Sequence, residues 1–191
     1  MLDLLAVTAK RRSVSVVLLH APMRNRHGQE IVTAVTNMDI HDIARSARTF
    51  GCAGYYIVTP IDEQRDLVGR ILGHWSKNPG AHPDRVEALG HVRVLASFKE
   101  VRDTIGGELE VLLTSASKQE GSVSSEQMRA RIFSPGPPLV IVFGTGWGVS
   151  SSFFPEVDTV LSPICGADEA YNHLSVRAAV AIVLDRLLGD R

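Results

Sequence analysis

Cysteine is scarce. Cys52 and Cys165 are the only two in 191 residues, so no disulfide framework is available and a reduced, cytoplasmic setting is expected. Neither cysteine has a flanking ligand, and the histidines (His20, His27, His41, His74, His82, His91, His173) contain no HExxH spacing, which argues against a zinc centre. Long apolar runs are also missing. No stretch reaches the ~18 residues a membrane span needs, and Met1 to Leu5 carries an early acid and no cleavable apolar core. A net charge of -1 argues against a generic coat for nucleic acid. Gly-Lys-Ser/Thr is absent, which removes a P-loop, and no serine sits in a GxSxG elbow.

Lysine occurs only at Lys10, Lys77, Lys99 and Lys118, so arginine carries most of the positive charge. Residues 1–28 gather Lys10, Arg11, Arg12, Arg24 and Arg26 against a single Asp3. Arginine makes bidentate phosphate contacts and stacks on bases, so a local cluster suits RNA. For any one arginine, solvated surface charge is the plainer reading.

With 45% hydrophobic and 21% charged residues, the chain has the composition of an ordinary globular protein. One domain over 1–191 is expected. Strand-length apolar runs alternate with helical segments. Strands are expected at Val14–Leu19, Tyr55–Val58, Val92–Leu95, Glu110–Leu113, Leu139–Phe143 and Val157–Leu161. Helices are expected at Asp39–Phe50, Asp62–Trp75, Ser97–Ile105, Glu126–Phe133 and Asn172–Leu188. Strands that are apolar on both sides and alternate with helices predict an α/β fold: a mostly parallel six-stranded sheet with helices on both faces. Ala21–Gly28 and Lys77–Arg85 are polar and rich in turn formers, and read as irregular loops. His41-Asp42 near a helix start reads as capping and dipole compensation. The last helix shows two apolar stripes, Leu174/Ala178/Ala181/Leu184 and Val176/Val180/Val183/Leu187. The second stripe implies burial against a partner subunit or deep within the monomer.

The chemistry concentrates in the last fifty residues. Leu139–Phe143 runs into Gly144-Thr145-Gly146-Trp147-Gly148, and the next strand meets Ser162-Pro163-Ile164-Cys165-Gly166. A Rossmann site is excluded. The glycine spacing is GxGxG, it follows the fifth strand rather than the first, and the next strand ends in Leu161-Ser162 without an acid for a ribose. What remains is a nucleoside-like ligand held mostly through backbone at the carboxyl ends of adjacent strands, with Gly144 and Gly146 allowing close approach and positive φ.

Asn172-His173-Leu174-Ser175-Val176-Arg177-Ala178-Ala179-Val180-Ala181-Ile182, preceded by Phe143-Gly144-Thr145-Gly146, resembles the C-terminal signature of the SPOUT RNA methyltransferases. That superfamily includes ribose 2′-O-methyltransferases and the tRNA (guanine-N1)-methyltransferase. Asn37-Met38-Asp39-Ile40-His41-Asp42-Ile43-Ala44-Arg45, continuing to Gly51, resembles its N-terminal motif. The resemblance runs from Val14 to Leu188 and looks like a minimal, stand-alone member. It implies a C-terminal trefoil knot, against the general rule that chains do not knot. It also implies S-adenosylmethionine bound by Thr114, Ser115, Ala116, Phe143, Gly144, Thr145, Gly146, Leu161, Ile164, Tyr171, Asn172, His173 and Leu174, and a homodimer packed through the final helix.

On the same resemblance, Arg45 and Asn37 are the candidate catalytic residues, and Arg24, Arg26, Lys77 and Arg177 the candidate RNA contacts. The expected activity is in-line methyl transfer to tRNA or rRNA. A protein of the same fold that binds cofactor or RNA without turnover is the rival, and an unrelated flavodoxin-like nucleotide binder a further one. Departures are visible: the ribose enzymes commonly read Ser-Leu-Asn-Val-Ser where this chain has His173 to Arg177, and no acidic lid of the guanine-N1 type is present.

Overall fold

The computed structural model describes residues 11–77, 80, 82–167 and 171–190. Lys10, Asp3 and parts of the 77–85 and 161–174 segments named above therefore lie outside the described residues.

The six expected strands form one parallel sheet: β1 (Val14–Leu19), β4 (Gly54–Val58), β5 (Val92–Leu95), β6 (Glu110–Thr114), β7 (Leu139–Gly144) and β8 (Thr159–Leu161), in the order β5-β4-β1-β7-β6-β8. Every pairing in it is parallel, with Leu19 opposite Gly144 and Thr114 opposite Leu161. Between β1 and β4 lies a small antiparallel ribbon, β2 (Met23–Arg24) and β3 (Glu30–Ile31).

Period-two alternation explains the two cores. Val14, Val16, Leu18, Leu139, Ile141 and Phe143 point to one face, where they meet α1 (Asn37–Thr49), α2 (Asp62–Ser76), α3 (Pro83–Leu89), α5 (Ser125–Ile132) and α6 (Val176–Leu188). Val17, Leu19, Val140 and Val142 point the other way, onto α4 (Phe98–Ile105) and a 3₁₀ turn at Ser151–Glu156 that supplies Phe153. Helices do cover both faces, but unequally. The central strands are buried on both sides, which is why they read as continuous apolar runs.

Several local expectations are corrected. The Ala21–Gly28 segment is not irregular. It enters the ribbon, whose turn is built by the Asn25 side chain accepting from the amides of His27 and Gln29, with Gly28 at φ 79°. The Lys77–Arg85 segment gives way to α3, which starts with Pro83 at its first position. β8 begins at Thr159, because the 3₁₀ turn holds the chain to Glu156. The last helix starts at Val176, not Asn172: Ser175 caps it by accepting from the Ala178 amide, and 171–174 lie outside the helix. His41-Asp42 do not cap α1. Thr36 does, accepting from the Asp39 amide, while His41 lies in the second turn with its ring edge-on to Trp75.

The stripes on α6 also resolve. Val180, Val183 and Leu187, which with Val176 make up the second stripe, are buried in the chain's own core beside Leu184 and Leu188. This favours the monomer-core reading for that stripe. The face left partly open carries Ala178, Ala181 and, just ahead of the helix, Leu174.

Candidate cofactor and RNA site

β7, β6 and β8 are neighbours, so the loops that leave their carboxyl ends at Gly144, Thr114 and Leu161 stand side by side, one strand spacing (about 4.8 Å) apart. The Thr114 hydroxyl donates to the Val142 carbonyl, tying β6 to β7. The chain leaving β6 passes round β8: Val123 donates to the Val160 carbonyl and accepts from the Ser162 amide, and the Ser122 and Ser162 hydroxyls meet at 3.1 Å. Asn172 reaches back across this loop and donates through Nδ2 to the Ala116 carbonyl at 3.1 Å. Two of the three proposed cofactor loops are thereby laced together.

The residues within these loops play different parts. Phe143 and Leu161 are buried core anchors, so only their backbone faces the crevice. Ile164 is half-buried against the core, while Tyr171, His173 and Leu174 are exposed. Among the described residues, none receives the amides of Ile164, Cys165, Gly166, His173 or Leu174. Backbone amides that no described residue engages, beside a glycine turn, suit a nucleoside-like ligand held mainly through backbone.

Gly144 works differently from the sequence expectation. It lacks positive φ; instead, a Cβ there would lie 2.7 Å from Val149 Cγ2 and 2.9 Å from Met23 Cε. Its smallness lets the ribbon dock on the β7 turn. Gly146 does take positive φ, at 58°, as does Gly148 at 98°. The ribbon is stitched to this turn by Arg24 N–H to Gly148 carbonyl (2.9 Å), Trp147 N–H to Arg24 carbonyl (3.2 Å) and an antiparallel bridge from Met23 to Val149. Arg24 is thus placed beside the glycine turn, a neighbourhood that only tertiary contact creates. Arg26 is exposed at the ribbon's tip and donates to His27.

Sequence reasoning missed a polar chain beneath the same turn, running from buried His20 to half-buried Thr33 and Thr145. His20 Nδ1 lies 3.0 Å from Thr33 Oγ1, which lies 2.5 Å from Thr145 Oγ1, and Thr145 in turn donates to the Leu19 carbonyl. Burial lowers the His20 pKa to about 4, only partly opposed by the Asp39 carboxylate, so the imidazole is neutral at physiological pH. Thr33 lies in a connecting segment with no pattern of its own, and nothing in the sequence pairs it with Thr145.

The α1 candidates separate. Asn37 is exposed at the first position of the helix and Arg45 is exposed two turns on, about 12 Å of axial rise away. Lys77 is exposed where α2 ends and joins neither the ribbon nor the loops. Arg177 is committed within the chain. Its Nη1 lies 3.0 Å from Asp39 Oδ1 and its Nε 3.4 Å from Asp42 Oδ2, so it locks the start of α6 to α1. Asp39 also accepts the Thr36 hydroxyl at 2.6 Å.

The fold is of the SPOUT type. The A. aeolicus TrmH/SpoU tRNA modifying enzyme superposes with a TM-score of 0.61 at 14% identity, covering 93% of this chain and 75% of that one. The model of the SAM-dependent RNA methyltransferase family matches residues 13–189, and the chain belongs to that family. S-adenosylmethionine is accordingly its cofactor. A tRNA (guanine-N(1)-)-methyltransferase of Nitratidesulfovibrio vulgaris is 38% identical over 184 residues, 94% of this chain but 43% of the relative. An uncharacterized protein of Aquifex aeolicus is 41% identical over 181 residues, covering 92% of this chain and 88% of that one. The chain therefore spans less than half the length of the tRNA methyltransferase it matches.

Proposed function

We propose that this chain transfers the methyl group of S-adenosylmethionine to a nucleotide of tRNA. One observation carries the reading: the family match spans the three strand ends, Thr114, Gly144 and Leu161, that stand together at the carboxyl edge of the sheet. The matching relative named as a tRNA methyltransferase supports tRNA as the substrate.

When bound, the cofactor supplies a methyl group already activated on a sulfonium. The protein's task is alignment, exclusion of water and management of the nucleophile's proton. We assign Thr114 to Ala116, Phe143 to Gly146 and the segment from Leu161 to Leu174 to hold it, with Phe143 and Leu161 acting through backbone. Arg45 stabilises negative charge as the RNA nucleophile loses its proton, and Asn37 orients the nucleotide. The partly open face of α6 packs against a second copy. We read the contacts of Ser162 with Val123 and of Asn172 with Ala116 as the crossing of a trefoil knot.

The match covers 43% of the named tRNA methyltransferase, which favours a second reading, in which the chain binds cofactor or RNA without turnover. Methyl-labelled S-adenosylmethionine incubated with bulk tRNA separates the two. Incorporation by the wild-type chain, reduced about a hundredfold or more in Arg45→Ala with calorimetric cofactor affinity unchanged, supports the first. Cofactor binding without incorporation establishes the second.

A further inference from the structure

Trp147 is 68% exposed at the tip of the glycine turn, although tryptophan is among the costliest side chains to leave in water. The chain's other tryptophan, Trp75, is half-buried and ringed by His41, His74, His82 and Arg85. Trp147 takes no part in either core, so its position is not a packing requirement. Its backbone is nevertheless held firmly, by its own bond to the Arg24 carbonyl and by the Gly148 amide bonding Thr145.

Arginine outweighs acid around it. The Arg24 guanidinium lies over the turn, with Nη2 3.3 Å from where a Gly148 Cβ would stand. Among the described residues, Arg24 has no ion-pair partner, and Arg26 touches only His27. The one acid on the ribbon, Glu30, sits opposite Arg24 in register, but its carboxylate is taken by the Ser152 hydroxyl at 2.6 Å. The result is an exposed aromatic face beside the Arg24 guanidinium, with Arg26 further out on the same ribbon, two residues from Thr145 of the glycine turn. Unpaired nucleotides are recognised by this combination, an aromatic plane for the base and cations for the neighbouring phosphates.

We propose that Trp147 is a stacking platform for an unpaired base of the RNA substrate next to the methylated nucleotide, and that Arg24 and Arg26 hold the flanking phosphates. This rests on the RNA methyltransferase reading and adds to it the substrate feature the enzyme selects: a nucleotide presented in a loop, not in a duplex.

The test compares wild type, Trp147→Ala, Trp147→Phe and Arg24→Ala for equilibrium binding of bulk tRNA across a salt series, with cofactor calorimetry and sedimentation on each. The platform requires that Trp147→Ala weaken tRNA binding about five- to 150-fold, the range for loss of one base–aromatic stack. Trp147→Phe should recover most of that, with cofactor affinity and oligomeric state unchanged. Arg24→Ala should lower the salt slope by about one. If Trp147→Ala binds tRNA like wild type, the platform is wrong while the RNA reading stands. If Trp147→Ala changes only the oligomeric state, a second copy covers this surface and the platform is overturned. If the wild type binds no tRNA, the platform and the tRNA reading fall together.

Discussion

Removing the Arg177 guanidinium decides whether that residue serves RNA or the fold. The Asp39 side chain is 7% exposed and that of Arg177 28%. In Arg177→Met the apolar stem survives, but Asp39 Oδ1 keeps its charge and loses its charged donor. Breaking a fully buried pair costs about 3–5 kcal/mol, whereas a hydrogen bond to a charged group contributes about 1.5–3 kcal/mol. Water reaches the partly exposed guanidinium side, and the Thr36 hydroxyl still serves the other carboxylate oxygen, so the lower range applies: about 2 kcal/mol. The second contact, to Asp42, adds little because that carboxylate is half exposed. For a chain of this size that loss lowers Tm by roughly 4–8 °C. Urea unfolding of Arg177→Met, Asp39→Asn and the double variant should give a coupling energy of about 1–2 kcal/mol, since the neutral amide no longer needs the cation. A Tm unchanged in Arg177→Met, with tRNA affinity reduced, would refute the structural assignment and return Arg177 to the RNA-contact set.

The other predictions concern the same region and the two thiols. Gly144→Ala places a methyl against Val149 Cγ2 and Met23 Cε and should cost about 1–3 kcal/mol by overpacking; thermal unfolding checks this, and Val149→Ala in the same chain should restore part of it. His20 has its folded-state pKa depressed to about 4 from 6.5 by burial, so between those pH values the unfolded chain binds the extra proton. Its contribution, at most about 3 kcal/mol, is fully present above pH 6.5 and is lost as pH falls toward 4; His20→Gln should flatten the urea-stability profile in that window. Burial raises the Cys52 thiol to about 12, while Cys165 is exposed. Mild iodoacetamide treatment at pH 8 should therefore alkylate Cys165 alone, as read by peptide mass spectrometry.

Much of the sheet was legible because its signal is local. Val14 to Leu19 and Leu139 to Phe143 are apolar on both sides in a way that only a doubly covered strand tolerates, and Ser97 marks a helix start. The errors fall where a few polar atoms outweigh periodicity. Apolar periodicity carries the last helix back to Asn172, yet the Asn172 side-chain amide bonds a distant carbonyl and the Ser175 hydroxyl caps a helix that begins at Val176. α3 was hidden behind a proline- and glycine-rich approach, although Pro83 at a first helical turn was itself a start signal.

The candidate site divides along the same line. Backbone periodicity and glycine placement are properties of neighbouring residues, so strand ends, turns and the family motifs could be read in order along the chain. Which of them meet could not. The order β7-β6-β8 that aligns Gly144, Thr114 and Leu161, the docking of the ribbon that carries Arg24 to Trp147, the His20–Thr33–Thr145 chain and the capture of Arg177 by Asp39 all join residues far apart in sequence. Strand order, side-chain size at Gly144 and the need to pair buried charge decided these, and they are settled by the packing of the whole domain.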